Sequence, residues 1–234
     1  MRSASRSLPF AVLALLVAGG AATWIGFAPP PPAPAGAEHV VLLHGLGRTK
    51  AAMWYLERCL EEAGYTVHNI GYPSLDSDIE ELAAHVGKQI AAANLSHAPR
   101  VHFVTHSLGG IVARAYLAEN PLRNLGRVVL LAPPNGGSPI IDSLREAGVS
   151  IVPLGPAGRA LGAGANDAPA QLPIPEYPVG IIAGSADLLV PVERARLEGM
   201  DDFLVVDVGH AWMRNDSNVA DQAIHFLRTG KFEH

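Results

Sequence analysis

The stretch V-H-F-V-T-H-S-L-G-G-I-V-A-R-A-Y-L-A, residues 101–118, decides how the rest of the chain is read. Val101 to Thr105 reads as a buried strand, and Leu108 to Ala118 has helical spacing closed by Asn120-Pro121. Only His106 and Ser107 lie between them, so strand must become helix within a very tight turn. Such a turn holds the serine in a strained conformation with its Oγ exposed above the strand end. It accepts only small neighbours, because the strand and helix backbones pass close together. Gly109 meets that demand, whereas Thr105 stands where a second glycine is usual. The simpler role for Ser107 is to cap the helix. The choice turns on whether the chain supplies partners for a nucleophile.

Outward from this point, short apolar runs alternate with longer helical ones. His39 to Leu43, Tyr65 to Ile70, Arg127 to Leu131, Val179 to Ala183 and Phe203 to Val206 read as further strands. Thr49 to Ala63, Asp76 to Asn94 and Asp216 to Leu227 read as helices, the second with Asp76 or Ser77 as its cap and the third stopping at Gly230. Parallel neighbours need helical crossovers, so this order predicts an α/β fold. The expected sheet is mostly parallel, of about six strands, covered by helices on both faces. Residues 133–178 break the rhythm, with nine prolines, seven glycines and little periodicity. Their aliphatic residues, among them Ile140, Ile141, Leu144 and Leu161, predict a packed, lid-like insertion over a site and not a disordered linker.

Composition narrows the class. The 234 residues are 49% hydrophobic and 17% charged, too apolar for a chain that stays disordered. A net charge of −5 with no Lys/Arg run argues against a nucleic-acid binder, which needs a clustered basic surface. One cysteine excludes an intrachain disulfide and a multi-cysteine metal site. Cys59 falls on a helical pattern and reads as a small buried hydrophobe. No H-E-x-x-H pattern is present, so neither a metal nor a cofactor is expected. Leu8 to Ala28 carries no charge over 21 positions and follows Arg2 and Arg6, so residues 1–28 read either as a cleaved signal peptide or as a retained N-terminal membrane anchor. Both place the domain outside the cytoplasm, periplasmic or secreted, or tethered to the inner membrane through residues 8–28. Residues 29–37, rich in proline and alanine, form a spacer, and residues 38–234 form the domain. That domain has 15 basic and 22 acidic residues, a net charge of −7.

A serine hydroxyl is a weak nucleophile and needs a base, itself oriented by a carboxylate. Asp187, in G-S-A-D-L-L-V-P, follows the Val179 strand, and His210, in G-H-A-W-M, follows the Phe203 strand. Both leave the C-terminal edge of a parallel sheet, the edge at which Ser107 lies. Asp207 is the runner-up acid, while Asp201 and Asp202 precede their strand and belong at the opposite edge. Two donors must also face a developing oxyanion. The Leu108 amide follows the nucleophile, and Leu46 in H-G-L-G is the expected second donor because Gly45 and Gly47 free the backbone around it. His44 orients or caps that loop. The run G-L-G-R-T-K matches neither common phosphate-loop spacing. No arginine cluster visibly converges on these motifs, which disfavours charged phosphate substrates.

Taken together, V-V-L-L-H-G-L-G-R, G-Y-P-S, F-V-T-H-S-L-G-G-I-V-A-R, A-P-P-N-G-G-S, G-S-A-D-L-L-V-P and G-H-A-W-M resemble the α/β-hydrolase superfamily, and within it the bacterial lipase and PGAP1-like esterase group. The resemblance runs from His39 to about Phe232. It implies hydrolysis of a small-molecule or lipid carboxylic ester through an acyl-enzyme on Ser107, with Asp187 and His210 completing the triad and no cofactor. It also implies that A-P-P-N-G-G-S, residues 132–138, edges the acyl pocket. Thr105 departs from the usual first glycine, and the short lid speaks against long triglycerides. An acyltransferase using the same triad and a non-catalytic binding protein on the same fold are the alternatives.

Overall fold

In the computed structural model, described here for residues 38–234, the chain forms a six-stranded, wholly parallel sheet. The strands are β1 (His39–Leu43), β2 (Thr66–Ile70), β3 (Val101–His106), β4 (Leu125–Leu131), β5 (Val179–Gly184) and β6 (Asp202–Val206). Their spatial order is β2-β1-β3-β4-β5-β6. The helices are α1 (Trp54–Glu62), α2 (Ile79–Ala92), α3 (Leu108–Glu119), α4 (Pro139–Glu146), α5 (Gly155–Arg159), α6 (Ala168–Gln171), α7 (Val192–Ala195) and α8 (Ser217–Thr229). The expected leader and spacer lie outside the described residues. Among the described residues, no helix is long and apolar enough to cross a membrane.

The period-2 alternation of the strands builds two cores. Val40, Leu42, Val104, Val129 and Leu131 face Leu56 and Leu60 of α1 and Phe226 and Leu227 of α8. Val41, Leu43, Phe103, Val128 and Leu130 face Leu82 and Val86 of α2 and Ile111 and Val112 of α3. All of these side chains are fully buried. Both faces must therefore be apolar, which is why the strands read as continuous apolar runs. At about 1.5–3 kcal/mol for each large aliphatic or aromatic side chain removed from water, these layers dominate the folding energy.

The strand order places the site. After β1 the chain crosses through α1 on one face to reach β2; after β3 it crosses through α3 on the other face to reach β4. The loops leaving β1 and β3 thus diverge, and a crevice opens between their C-terminal ends. That is the usual ligand position of an open parallel sheet.

Three local expectations are corrected. The cap of α2 is Asp78, not Asp76 or Ser77: its carboxylate accepts from the Glu81 amide at 2.9 Å, and Glu81 reciprocates at 3.3 Å. Glutamate three residues on makes Asp78 the better cap, because two orphan donors are satisfied at once. Residues 133–178 contain α4, α5, α6 and a 3-10 turn at Val152–Leu154. Pro139, Pro153, Pro156 and Pro169 sit in the first turns of these pieces, where a missing N–H removes nothing. Cys59 is half-buried, and burial pushes its thiol up, away from nucleophilic use.

Candidate active site

Ser107 stands at the junction of β3 and α3 with φ 55° and ψ −123°. A non-glycine residue rarely adopts positive φ. The turn is held by the Ser107 amide donating to the Leu131 carbonyl at 2.9 Å. Its side chain makes no capping bond to α3. The neighbouring glycine is a steric requirement: a Cβ on Gly109 would stand 2.6 Å from the Leu43 carbonyl oxygen. Thr105 is fully buried and lies across from Gly110, where a Cβ would come within 3.4 Å of Thr105 Oγ1. That distance is an ordinary contact, so the threonine stands in the place of the usual first glycine without requiring glycine at 110; the tighter contact there is with Pro133 Cβ, at 3.1 Å.

Two later loops reach this serine. His210 Nε2 lies 3.0 Å from Ser107 Oγ, and His210 Nδ1 lies 2.6 Å from Asp187 Oδ2. The other oxygen of Asp187 accepts the amides of Leu189 and Val190 at 2.8 and 2.9 Å, so the carboxylate is fixed by its own loop. In this arrangement Nδ1–H donates to Asp187, leaving Nε2 free to accept the serine proton. Asp207, the other candidate acid, instead accepts from Ser185 Oγ at 2.8 Å. The structure therefore brings together Ser107, His210 and Asp187, three residues from the loops after β3, β6 and β5.

The H-G-L-G loop after β1 is braced from the segment after β2. His44 is buried and stacks on Tyr72 with ring centroids 4.1 Å apart. His44 Nδ1–H donates to the Gly45 carbonyl at 2.9 Å, and Nε2 accepts the Tyr72 amide at 3.3 Å. The Tyr72 hydroxyl donates to the His44 carbonyl, and Ser74 Oγ accepts from the Gly47 amide at 3.0 Å. Burial pulls the His44 imidazole down to about 4, so it is neutral and can serve as both donor and acceptor. This framework presses the loop against the nucleophile: a Cβ on Gly45 would lie 3.2 Å from Ser107 Cβ. Leu46 follows on the cleft wall, and Leu108 opens α3, where the first amides have no partner within the helix.

His106 and two arginines join the site without having been singled out. His106 Nε2–H donates to the His210 carbonyl at 2.9 Å. Its Nδ1 is buried with no protein partner, and burial drives its pKa well below 6.5. Arg48 and Arg214 line the same cleft as Gly45, Leu46, Ser107 and His210. The absence of a converging arginine cluster is thus overturned. The two lie far apart in sequence, and only loop placement reveals them: Arg48 comes two residues after Leu46 and Arg214 four after His210.

A-P-P-N-G-G-S, residues 132–138, links the core to the loop that carries the acid. Asn135 Oδ1 accepts from the buried Arg114 at 3.0 Å, while its Nδ2 donates to the Ala195 carbonyl at 2.9 Å. Ser138 Oγ donates to the Leu189 carbonyl at 2.8 Å. The insertion above packs through Leu154, Ala157 and Leu161, and Gly158 of α5 lies against the Leu46 side chain. A larger depression of about 400 Å³ opens between α2 and α3, lined by Ala83, Gly87, Ile90 and Tyr116, away from the nucleophile. Among the described residues, no group of three or more His, Cys, Asp or Glu could hold a metal ion.

The profile of the Alpha/beta hydrolase family matches residues 40–177. No match was found among curated proteins. The fold is similar to phospholipase PlaB from Legionella pneumophila, with a TM-score of 0.64 and 14% identity over 83% of this chain and 61% of that one. The chain therefore spans less than two thirds of that phospholipase. Lipase BlEst2 from Bacillus licheniformis gives 0.59 at 17% identity over 78% and 87% of the two chains. The monoacylglycerol lipase of Paleococcus ferrophilus gives 0.59 at 18% identity over 82% and 94%. At such identities the likeness is one of fold.

Proposed function

The chain belongs to the alpha/beta hydrolase family, and from that premise we propose that it hydrolyses carboxylic esters through an acyl-enzyme on Ser107. The observation that carries this reading is the continuous path from Asp187 through His210 to Ser107, at 2.6 and 3.0 Å, ending on a serine with strained backbone. In the first half-reaction His210 Nε2 takes the hydroxyl proton as Oγ attacks the ester carbonyl. Asp187 holds the imidazole orientation and stabilises the imidazolium. The amides of Leu46 and Leu108 receive the oxyanion. His210 then protonates the leaving alcohol, and water repeats the sequence to release the acid.

The surroundings favour an apolar acyl group. Leu46 and Leu189 line the cleft, and Leu188 and Trp212, one and two positions after the acid and the histidine, are 82% and 71% exposed. The apolar segment 8–28 supports export of the domain, by cleavage or by anchoring; N-terminal sequencing of the mature protein distinguishes these, an intact Met1 excluding cleavage.

The test is turnover of p-nitrophenyl esters graded by chain length, with fluorophosphonate labelling mapped by mass spectrometry. Hydrolysis, and label on Ser107 only, are expected. Ser107→Ala should lose activity by a factor of about 10⁴ or more. A protein that neither turns over any ester nor takes the label at Ser107 sinks the reading.

A further inference from the structure

Four of the twelve described arginines are compensated by an acid. Arg58, Arg100, Arg145 and Arg196 each meet a carboxylate. Arg48 and Arg214 are in none of these pairs, although the chain carries 22 acidic residues against 17 basic ones. They are also the two cations that line the cleft beside Ser107. Arg214 spends one donor on the Ala211 carbonyl, while its Nε is buried with no partner. The two charges feel each other: Arg214 is drawn down to about 10, by burial first and by the charge of Arg48 second. Both also act on the buried His106 beneath the histidine of the site. A like-charged, half-desolvated pair beside a nucleophile is an unfavourable arrangement until an anion joins it.

We propose that Arg48 and Arg214 form a receptor for a phosphate group carried by the substrate, so that the preferred ester is one that bears a phosphate monoester, as in a diacylglycerol phosphate. The proposal rests on the ester-hydrolase reading and names the substrate class of that same site. Two guanidiniums match the charge of a phosphate monoester, about −1.5 to −2 near neutral pH, and their planar forks suit its oxygens. A single carboxylate would leave one cation unbalanced. The apolar walls take the acyl chain while the arginines take the anionic end, which fixes which ester bond meets Ser107.

The experiment compares two substrates that differ only in the phosphate, 1,2-dihexanoylglycerol and its 3-phosphate, on the full chain in nonionic detergent. The ratio of kcat/KM should favour the phosphate ester by about tenfold or more. Arg48→Gln and Arg214→Gln should each reduce that ratio, the double variant should bring it to about one, and Arg123→Gln, on an exposed position elsewhere, should leave it unchanged. Glycerol 3-phosphate binding, read by calorimetry, should be present in the parent protein and lost in the double variant, independently of turnover. Turnover of the neutral ester with a ratio at or below one overturns the receptor and leaves the hydrolase reading standing. Inhibition by inorganic phosphate without any preference between the esters shows a site for a free anion and overturns the lipid substrate. Failure to turn over either ester sinks the hydrolase reading, and absence of glycerol 3-phosphate binding in that case overturns the receptor as well.

Discussion

His106 donates through Nε2 to the backbone carbonyl of His210, 104 positions away, at 2.9 Å. The residue before the nucleophile thus holds the backbone of the residue that deprotonates it. The tautomer is set by this bond, since a proton on Nε2 leaves Nδ1 bare against Gly45. His106 touches no reacting atom, so it acts by positioning. His106→Leu should lower kcat by about tenfold with KM little changed, because a small misplacement of the base weakens proton transfer. His106→Gln, which keeps a donor at similar reach, should recover most of the loss. Equal loss in both variants, or a loss confined to KM, would count against positioning.

The acid is decided by one contact. Asp187→Asn should lower kcat by about 10²–10⁴-fold, because an amide cannot hold the imidazole in the same orientation and charge. Asp207→Asn, which alters only the bond to Ser185, should stay within about twofold of the parent. Steady-state kinetics on one p-nitrophenyl ester decides between them, and a larger effect at Asp207 would transfer the role.

Gly109→Ala probes the closeness of the turn. The added methyl would meet the Leu43 and His44 carbonyl oxygens at 2.6 and 2.8 Å, both on the backbone of β1 and its loop. Neither can retreat without disturbing the central sheet pairing, so a loss of roughly 2–3 kcal/mol or more is expected. Urea denaturation monitored by tryptophan fluorescence gives the value. A variant as stable as the parent would show that the two segments pass less closely.

Acid should destabilise the protein before its carboxylates titrate. Burial holds His44 at about 4 against its ordinary 6.5, so the unfolded chain binds the extra proton between these values. The stability is fully present above pH 6.5 and is lost as pH falls toward 4, by roughly 3 kcal/mol from His44 alone. His106, shifted in the same direction by burial, adds to the loss. Urea midpoints measured at pH 7.5, 5.5 and 4.5 should fall in that order, and a flat series would contradict neutral burial of these rings.

Asn135→Ala removes the partner of a buried cation. Arg114 is 4% exposed, and its other bonds run to the carbonyls of Leu172 and Pro173 at 3.3 Å. Losing the 3.0 Å bond to Asn135 should lower stability by about 1.5–3 kcal/mol. Because Asn135 also ties the Ala195 carbonyl, at the end of α7, the short helix that follows the acid loop, a smaller fall in kcat should accompany it. Thermal melts and steady-state rates on the same preparation check both.

Much of this molecule is legible in short-range pattern. The six strands, the helices between them and the serine at a strand-to-helix junction follow from periodicity and from the steric needs of one turn. Those properties are carried by neighbours in sequence, so an unaligned sequence displays them. The prolines of residues 133–178 misled because proline ends a helix from within and begins one from outside, and pattern alone does not say which. Asp78 escaped for a related reason: several polar residues in D-S-D offer a cap, and only the reciprocal bond with Glu81 selects one.

The sequence by itself determined a parallel α/β sheet and the edge at which its chemistry must lie, since strand direction and loop order allow no other edge. Only the tertiary structure decided which carboxylate reaches His210, which histidine supports it, and that Arg48 and Arg214 meet at one cleft. These depend on how the loops run over the sheet edge: β1 and β6 are separated by three strands in the order β2-β1-β3-β4-β5-β6, yet the loops that follow them line one cleft. Contacts between residues more than a hundred positions apart leave no local trace. The charges of the two arginines are visible in the sequence, but their proximity, and the anion it calls for, exist only once the sheet has formed.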